Sequence, residues 1–223
     1  MVDDSIEHAR RLAEGAVARD DATSWFEDLY AAAEGGTTTV PWDRAQPQTL
    51  LTGWTGDRRI EGRGRRALVV GSGLGVDAEH VASLGFSTVA FDVSPTAIEM
   101  TRRRFPDSTV DYVAADVLDP AAEWVGAFDL VVESLTVQSL PRDLHPRAIA
   151  AVASTVAPGG TLLVVASADH GDEPPDRPPW PLTPDEIAAF AVGGLRMVSI
   201  EDLREPDDPR AGRWRAELRR DGA

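Results

Sequence analysis

Two kinds of residue here could do chemistry: glycines clustered where an apolar run ends, and single acids set just beyond later apolar runs. Gly71-Ser72-Gly73-Leu74-Gly75 follows Ala67-Leu68-Val69-Val70 directly. Glycines let a backbone approach a ligand closely, and free amides at a helix start favour negative charge by roughly 0.3–1 kcal/mol. A dinucleotide loop usually reads Gly-x-Gly-x-x-Gly, and this chain has Val76 where that third glycine would stand. The spacing tilts away from a pyrophosphate, although a plain strand-to-helix turn would use the same glycines. Asp92 closes the next apolar run, nineteen residues after Gly73. A carboxylate there can accept both hydroxyls of an adenosine ribose; capping the helix that starts at Ser94-Pro95 is its plainer role. Asp116, in Ala114-Ala115-Asp116-Val117, could accept from an adenine amino group while Val93 and Val117 flank the ring. Glu133 ends the apolar run that starts at Phe128.

Candidate bases are few: Asp43, Glu133, His145 and His170. His145 precedes Pro146 at a helix start and is expected on the surface, as are His8 and His80. His170 follows the fifth strand and is better placed. No His/Asp/Glu spacing suggests a metal. There is no Cys, which excludes disulfides, thiolate metal sites and a cysteine nucleophile. The absence of Lys excludes Schiff-base chemistry and a Walker-type phosphate loop. With 37 acids against 22 bases the formal charge is -15, so nucleic acid and anionic membrane surfaces are poor partners. The acidic start Met1-Val2-Asp3-Asp4 does not read as a signal peptide, and no apolar run would span a bilayer. The expectation is a cytoplasmic monomer or homodimer.

The elements that must position these residues follow from periodicity. Ile6, Ala9, Leu12 and Ala16, then Trp25, Phe26, Leu29 and Tyr30, fit two amphipathic helices broken around residues 20–23 and closed by Gly35-Gly36. Leu50 and Leu51 fit a short helix. From Arg65 onward, strands at 67–70, 88–92, 110–114, 130–133 and 161–166 alternate with helices. Pro158-Gly159-Gly160 reads as a turn before the fifth strand, and Thr183-Pro184-Asp185-Glu186 as a capping box. Residues 198–203 and 213–218 read as an antiparallel pair. The expected fold is α/β: a Rossmann-like, doubly wound sheet of seven strands, mostly parallel with an antiparallel edge strand, plus an N-terminal helical cap. Residues 1–60 would form the cap that completes the site, and 61–223 the core of a single domain. Residues 172–184 hold six prolines and read either as a stiff surface loop or as a lid.

Taken together, the glycine loop, Asp92, Asp116-Val117, Glu133 and Pro158-Gly159-Gly160 resemble the class I S-adenosylmethionine-dependent methyltransferases over residues 65 to 220. The resemblance implies that Gly71, Ser72, Gly73 and Gly75 pack on the methionine portion and that Asp92 holds the ribose. It implies that Val93, Ala115, Asp116 and Val117 surround the adenine, and that Glu133 reaches the active site. S-adenosylhomocysteine would be the product, with a small-molecule methyl acceptor. Trp25-Phe26-x-x-x-Tyr30, Val40-Pro41-Trp42-Asp43, Gln46-Pro47 and Ala97-Ile98-Glu99 look like the thiopurine, thiol and halide methyltransferase branch, whose Pro-Trp-Asp turn closes over the cofactor. That likeness places Trp42 at the cofactor and slightly favours a thiol over oxygen as acceptor. In-line displacement at a sulfonium needs alignment above all, which can contribute roughly 7–11 kcal/mol. A thiol, with a pKa of about 8.5, needs little help to ionise, whereas a hydroxyl or amine calls for a base among Asp43, Glu133 and His170. The alternatives are an NAD(P)-dependent oxidoreductase on a related sheet, or a cofactor-binding regulator without turnover.

Overall fold

A computed structural model describes residues 2–19, 21–171, 178–205 and 208–222. Helices α1 (Val2–Val17) and α2 (Ser24–Glu34) form the N-terminal cap, followed by α3 (Thr49–Asp57). Strands β1 (Arg66–Val70), β2 (Ser87–Asp92), β3 (Asp111–Ala114) and β4 (Phe128–Ser134) then alternate with α4 (Val76–Ser83) and α5 (Pro95–Arg104). The chain finishes with α6 (His145–Ser154), β5 (Val156–Ser167), α7 (Pro184–Ala189), β6 (Leu195–Glu205) and β7 (Asp208–Arg220).

The seven strands lie in the order β3-β2-β1-β4-β5-β7-β6. Strands β1 to β5 pair in parallel, and β7 alone runs the other way, inserted between β5 and β6. Burial explains the composition of the central strands. Leu68 and Val70 face α6 and α7, whereas Ala67 and Val69 face α3, α4 and α5, so both sides of β1 must be apolar. The order reverses between β1 and β4, and their carboxyl ends open the crevice where doubly wound sheets bind ligands.

Pro158-Gly159-Gly160 is not a turn before β5 but a bulge within it. Phe128 pairs with Val156 and Leu130 with Thr161, so residues 157–160 have no counterpart on β4. A Cβ on Gly160 would lie 2.8 Å from the Ala157 carbonyl oxygen, so the bulge needs glycine there.

The cap is fastened to the sheet by a carboxylate. Glu27 of α2 accepts from Ser94 Oγ (2.5 Å), Thr96 Oγ1 (2.5 Å) and the Thr96 amide (3.2 Å) at the start of α5. Burial works to raise its pKa, but the bonds from Ser94 and Thr96 prevail and hold it below the ordinary value. Glu27→Ala should cost about 1–2 kcal/mol, read as a thermal midpoint lower by about 2–8 °C. An unchanged midpoint would show that the cap is held by its apolar contacts alone.

Candidate active site

The crevice is a cavity of about 630 Å³, within the range of pockets that hold a cofactor-sized ligand. Its floor is the glycine loop. Gly71, Gly73 and Gly75 have φ of 57°, 52° and 84°, a region L side chains rarely adopt. A Cβ at Gly71 would lie 2.3 Å from Thr136 Oγ1, and one at Gly75 would lie 2.5 Å from Thr101 Cγ2. Those threonines clasp the loop: Thr101 Oγ1 donates to the Gly73 carbonyl (3.0 Å) and Thr136 Oγ1 to the Val70 carbonyl (3.0 Å). The loop's amides are not free, as the sequence suggested. Ser72 N donates to Phe91 O (2.7 Å), Gly75 N to Ser72 O (3.0 Å) and Gly73 N to Asp92 Oδ2 (2.9 Å). The turn therefore offers a close-fitting surface rather than an anion nest. The hydroxyls of Ser72 and Ser134 both border the cavity, are buried, and have no partner among the described residues.

Asp92 sits at the end of β2, buried against the loop. Its Oδ1 accepts from Ser94 N (3.0 Å), so it fixes both the loop and the approach to α5. Burial pushes its pKa up to about 6, with the amides of Ser94, Gly73 and Val93 pulling the other way and Glu27 adding to the rise. Val93, Ala115, Asp116 and Val117 border the same cavity. Asp116 Oδ1 is taken by the Leu118 amide (2.8 Å), which orients the carboxylate in its loop.

The cap supplies the roof. Trp42 Nε1 donates to the Tyr30 hydroxyl (2.9 Å), and Trp25 and Phe26 meet the Trp42 ring edge-on at 5.9 and 6.2 Å. Burial, then the Asp92 charge, holds the Tyr30 hydroxyl firmly protonated. The strap carrying Trp42 is tied down by Asp77 of α4, which accepts from Gln48 N (2.7 Å) and Arg44 Nη2 (3.0 Å).

The candidate bases fare differently. Asp43 borders the cavity but is ion-paired with Arg104 at 2.7 Å. Glu133 does not reach the cavity wall: its Oε1 accepts from Thr136 N (2.8 Å) and Val137 N (3.0 Å) beneath it. His170 also lies off the wall, beside Asp202 and edge-on to Trp214 at 5.4 Å. His145, expected on the surface, is fully buried; Nδ1 meets Glu186 Oε1 (2.6 Å) and Nε2 meets the Leu140 carbonyl (2.9 Å). A helix start exposes its first residue only when nothing packs over it, and here the capping box of α7 does. Sequence reasoning passed over Arg10, Gln138, Ser139 and Arg213, which also border the cavity. Their types were visible, but nothing local marks them as neighbours. Of the proline-rich segment, residues 172–177 lie outside the described residues, while Pro178 and Pro179 reach the cavity.

Residues 68–164 match the methyltransferase domain family. A ubiquinone biosynthesis O-methyltransferase of Xanthomonas axonopodis pv. citri is 36% identical over 132 residues, covering 55% of this chain and 54% of the relative. The chain thus spans about half the length of the curated relatives it matches. Among solved structures, one from work on converting a disulfide bond into a thioacetal group during echinomycin biosynthesis superposes with a TM-score of 0.69, at 23% identity, covering 88% of this chain and 93% of that one. An N-methyltransferase of Bradyrhizobium japonicum, solved with S-adenosylhomocysteine, gives 0.64 at 20% identity, covering 81% and 91%. No helix among the described residues is long and apolar enough to cross a membrane. Residues 68–164 therefore carry a methyltransferase domain, on the fold of the class I S-adenosylmethionine-dependent methyltransferases.

Proposed function

We propose that the chain methylates a small molecule whose nucleophilic atom ionises without a catalytic base. The observation that carries this is the cavity itself, whose described walls hold a cofactor-shaped cradle but no unengaged base. When bound, S-adenosylmethionine supplies an electrophilic methyl group. Gly71, Gly73 and Gly75 would lie against its methionyl part, with the unpartnered Ser72 and Ser134 hydroxyls available to its polar atoms. Asp92 would accept from the ribose hydroxyls, Asp116 from the adenine amino group, and Val93, Ala115 and Val117 would flank the ring. Trp42, braced by Tyr30, would exclude water from above. In this reading residues 1–60 are a cap that completes the site of the 61–223 core.

The acceptor follows from what the walls lack. Asp43 is held by Arg104, Glu133 is sealed below and His170 lies elsewhere, so the protein's part is alignment rather than proton removal. A thiol fits, as the likeness of residues 25–47 to the thiopurine branch favours. An electron-poor phenol is the oxygen counterpart that the O-methyltransferase relatives favour. Calorimetric titration tests the reading: S-adenosylhomocysteine should bind at about micromolar concentration and NAD should not. Binding of NAD with none of S-adenosylhomocysteine would end it in favour of an oxidoreductase. Tight cofactor binding with no transfer to any thiol or phenol in a radiolabel screen would leave a regulator.

A further inference from the structure

The acids that border the cavity, Asp43, Asp77, Asp92 and Asp116, all belong to the strap, the start of α4 or the ends of β2 and β3. That is the half assigned above to the cofactor. The other half is walled by Leu135 and Leu140 after β4, by Trp25 and Phe26 of the cap, and by two arginines, with no carboxylate among the described residues. Arg213 lies opposite Ser167 in the β5–β7 register, where Nη1 donates to Ser167 Oγ (3.0 Å) and the Gly212 carbonyl (3.2 Å). Its remaining N–H groups make no bond to a described residue. Arg10 enters from α1; its Nε is buried without a hydrogen-bond partner, and no described carboxylate pairs with it. In a chain of net charge -15, two cations facing a cavity without an acid between them are out of keeping with their surroundings.

We infer that Arg10 and Arg213 form an anion subsite, and that the methyl acceptor carries a carboxylate on an apolar, ring-sized body. A planar guanidinium matches a carboxylate in shape and spreads its donors across both oxygens. Desolvated cations without partners are costly, so an acceptor that supplies the missing charge is favoured over a neutral one of the same shape. The long-range field of a strongly acidic protein repels a dianion twice as hard as a monoanion, which points to a carboxylate rather than a phosphate. The apolar walls take the body of the acceptor, and the arginines fix which end faces away from the methyl group.

The inference rests on the methyl-transfer reading, so the test separates the two. Benzoate and benzamide, equal in shape and different in charge, would be titrated into the protein with and without saturating S-adenosylhomocysteine. Benzoate should bind about tenfold or more tightly than benzamide, with the preference shrinking as salt is added. Arg213→Gln and Arg10→Gln should each remove most of that preference while leaving S-adenosylhomocysteine affinity and circular dichroism unchanged. Arg213→Lys, which keeps the charge and loses the fork, should retain part of it. Equal binding of the two probes, no binding of benzoate at millimolar concentration, or a preference that survives both Gln substitutions overturns the anion subsite. Cofactor affinity measured in the same samples then shows whether the methyl-transfer reading still stands.

Discussion

Asp92→Ala should raise the dissociation constant for S-adenosylhomocysteine at least about tenfold while the protein stays folded. Two ribose hydroxyls donating to an ionised carboxylate contribute about 1.5–3 kcal/mol each, so losing them could reach hundredfold. The side chain also accepts from the Gly73 and Ser94 amides, so its removal loosens the glycine loop that the methionyl part would touch. Asp92→Asn keeps an acceptor for one of those amides and loses only the charge, and should fall between the two. The pH dependence distinguishes a ligand contact from a structural one. Burial has raised the Asp92 pKa to about 6, and the ribose hydroxyls need the ionised form. Affinity should therefore weaken as pH falls below about 6, with a proton released on binding there, and Asp92→Asn should show neither effect. Calorimetry at about pH 5 and about pH 7.5, in two buffers of different ionisation enthalpy, reads both. An unchanged dissociation constant with normal circular dichroism removes Asp92 from the cofactor site.

What could be read ahead of the structure was local or doubly determined. Ala67 to Val70 announces a strand because both its faces are buried, and Ser94-Pro95 announces a helix because cap and first residue are adjacent. The capping box at Thr183 and Glu186 is equally self-contained, with both bonds formed. The glycine loop and Asp92 came together because β1 and β2 are neighbours, which the alternating order of elements implies. The rest needed contacts that sequence spacing does not encode. His145 is buried by Glu186, 41 residues away, and Asp43 is occupied by Arg104, 61 residues away. The Pro-Gly-Gly bulge exists only relative to its partner β4. Arg10 and Arg213 lie near opposite ends of the chain yet border one cavity. Glu133 is a matter of direction: its strand was placed, but a residue that ends a strand can project over the sheet edge or turn under it.

That direction has a measurable consequence for stability. Glu133 is fully buried, and burial pushes its pKa up to about 7, against the pull of the Val137 and Thr136 amides and of nearby His145. Oε1 holds those two amides, whereas Oε2 is buried with no partner. A carboxyl whose folded pKa lies above its unfolded value binds more protons in the folded state, so stability falls as pH rises through that interval. The interval here runs from 4.5 to about 7. Such a rise corresponds to about 3 kcal/mol, or a midpoint lower by about 6–12 °C at pH 8 than at pH 5, from this group alone. Asp92, raised to about 6, adds in the same direction, so the group must be isolated by substitution. Glu133→Gln keeps an oxygen for the two amides and cannot ionise; its amide nitrogen would take the unpartnered position, costing about 1–3 kcal/mol at every pH. The expected result is a variant somewhat less stable than the parent near pH 5 that closes or reverses the gap by pH 8. Thermal midpoints across that range read the difference in slope, which a partner lost equally at all pH values would leave at zero. Parallel curves for the two proteins would mean that Glu133 stays ionised in the folded chain, and that its role is confined to holding the turn after β4 against the glycine loop.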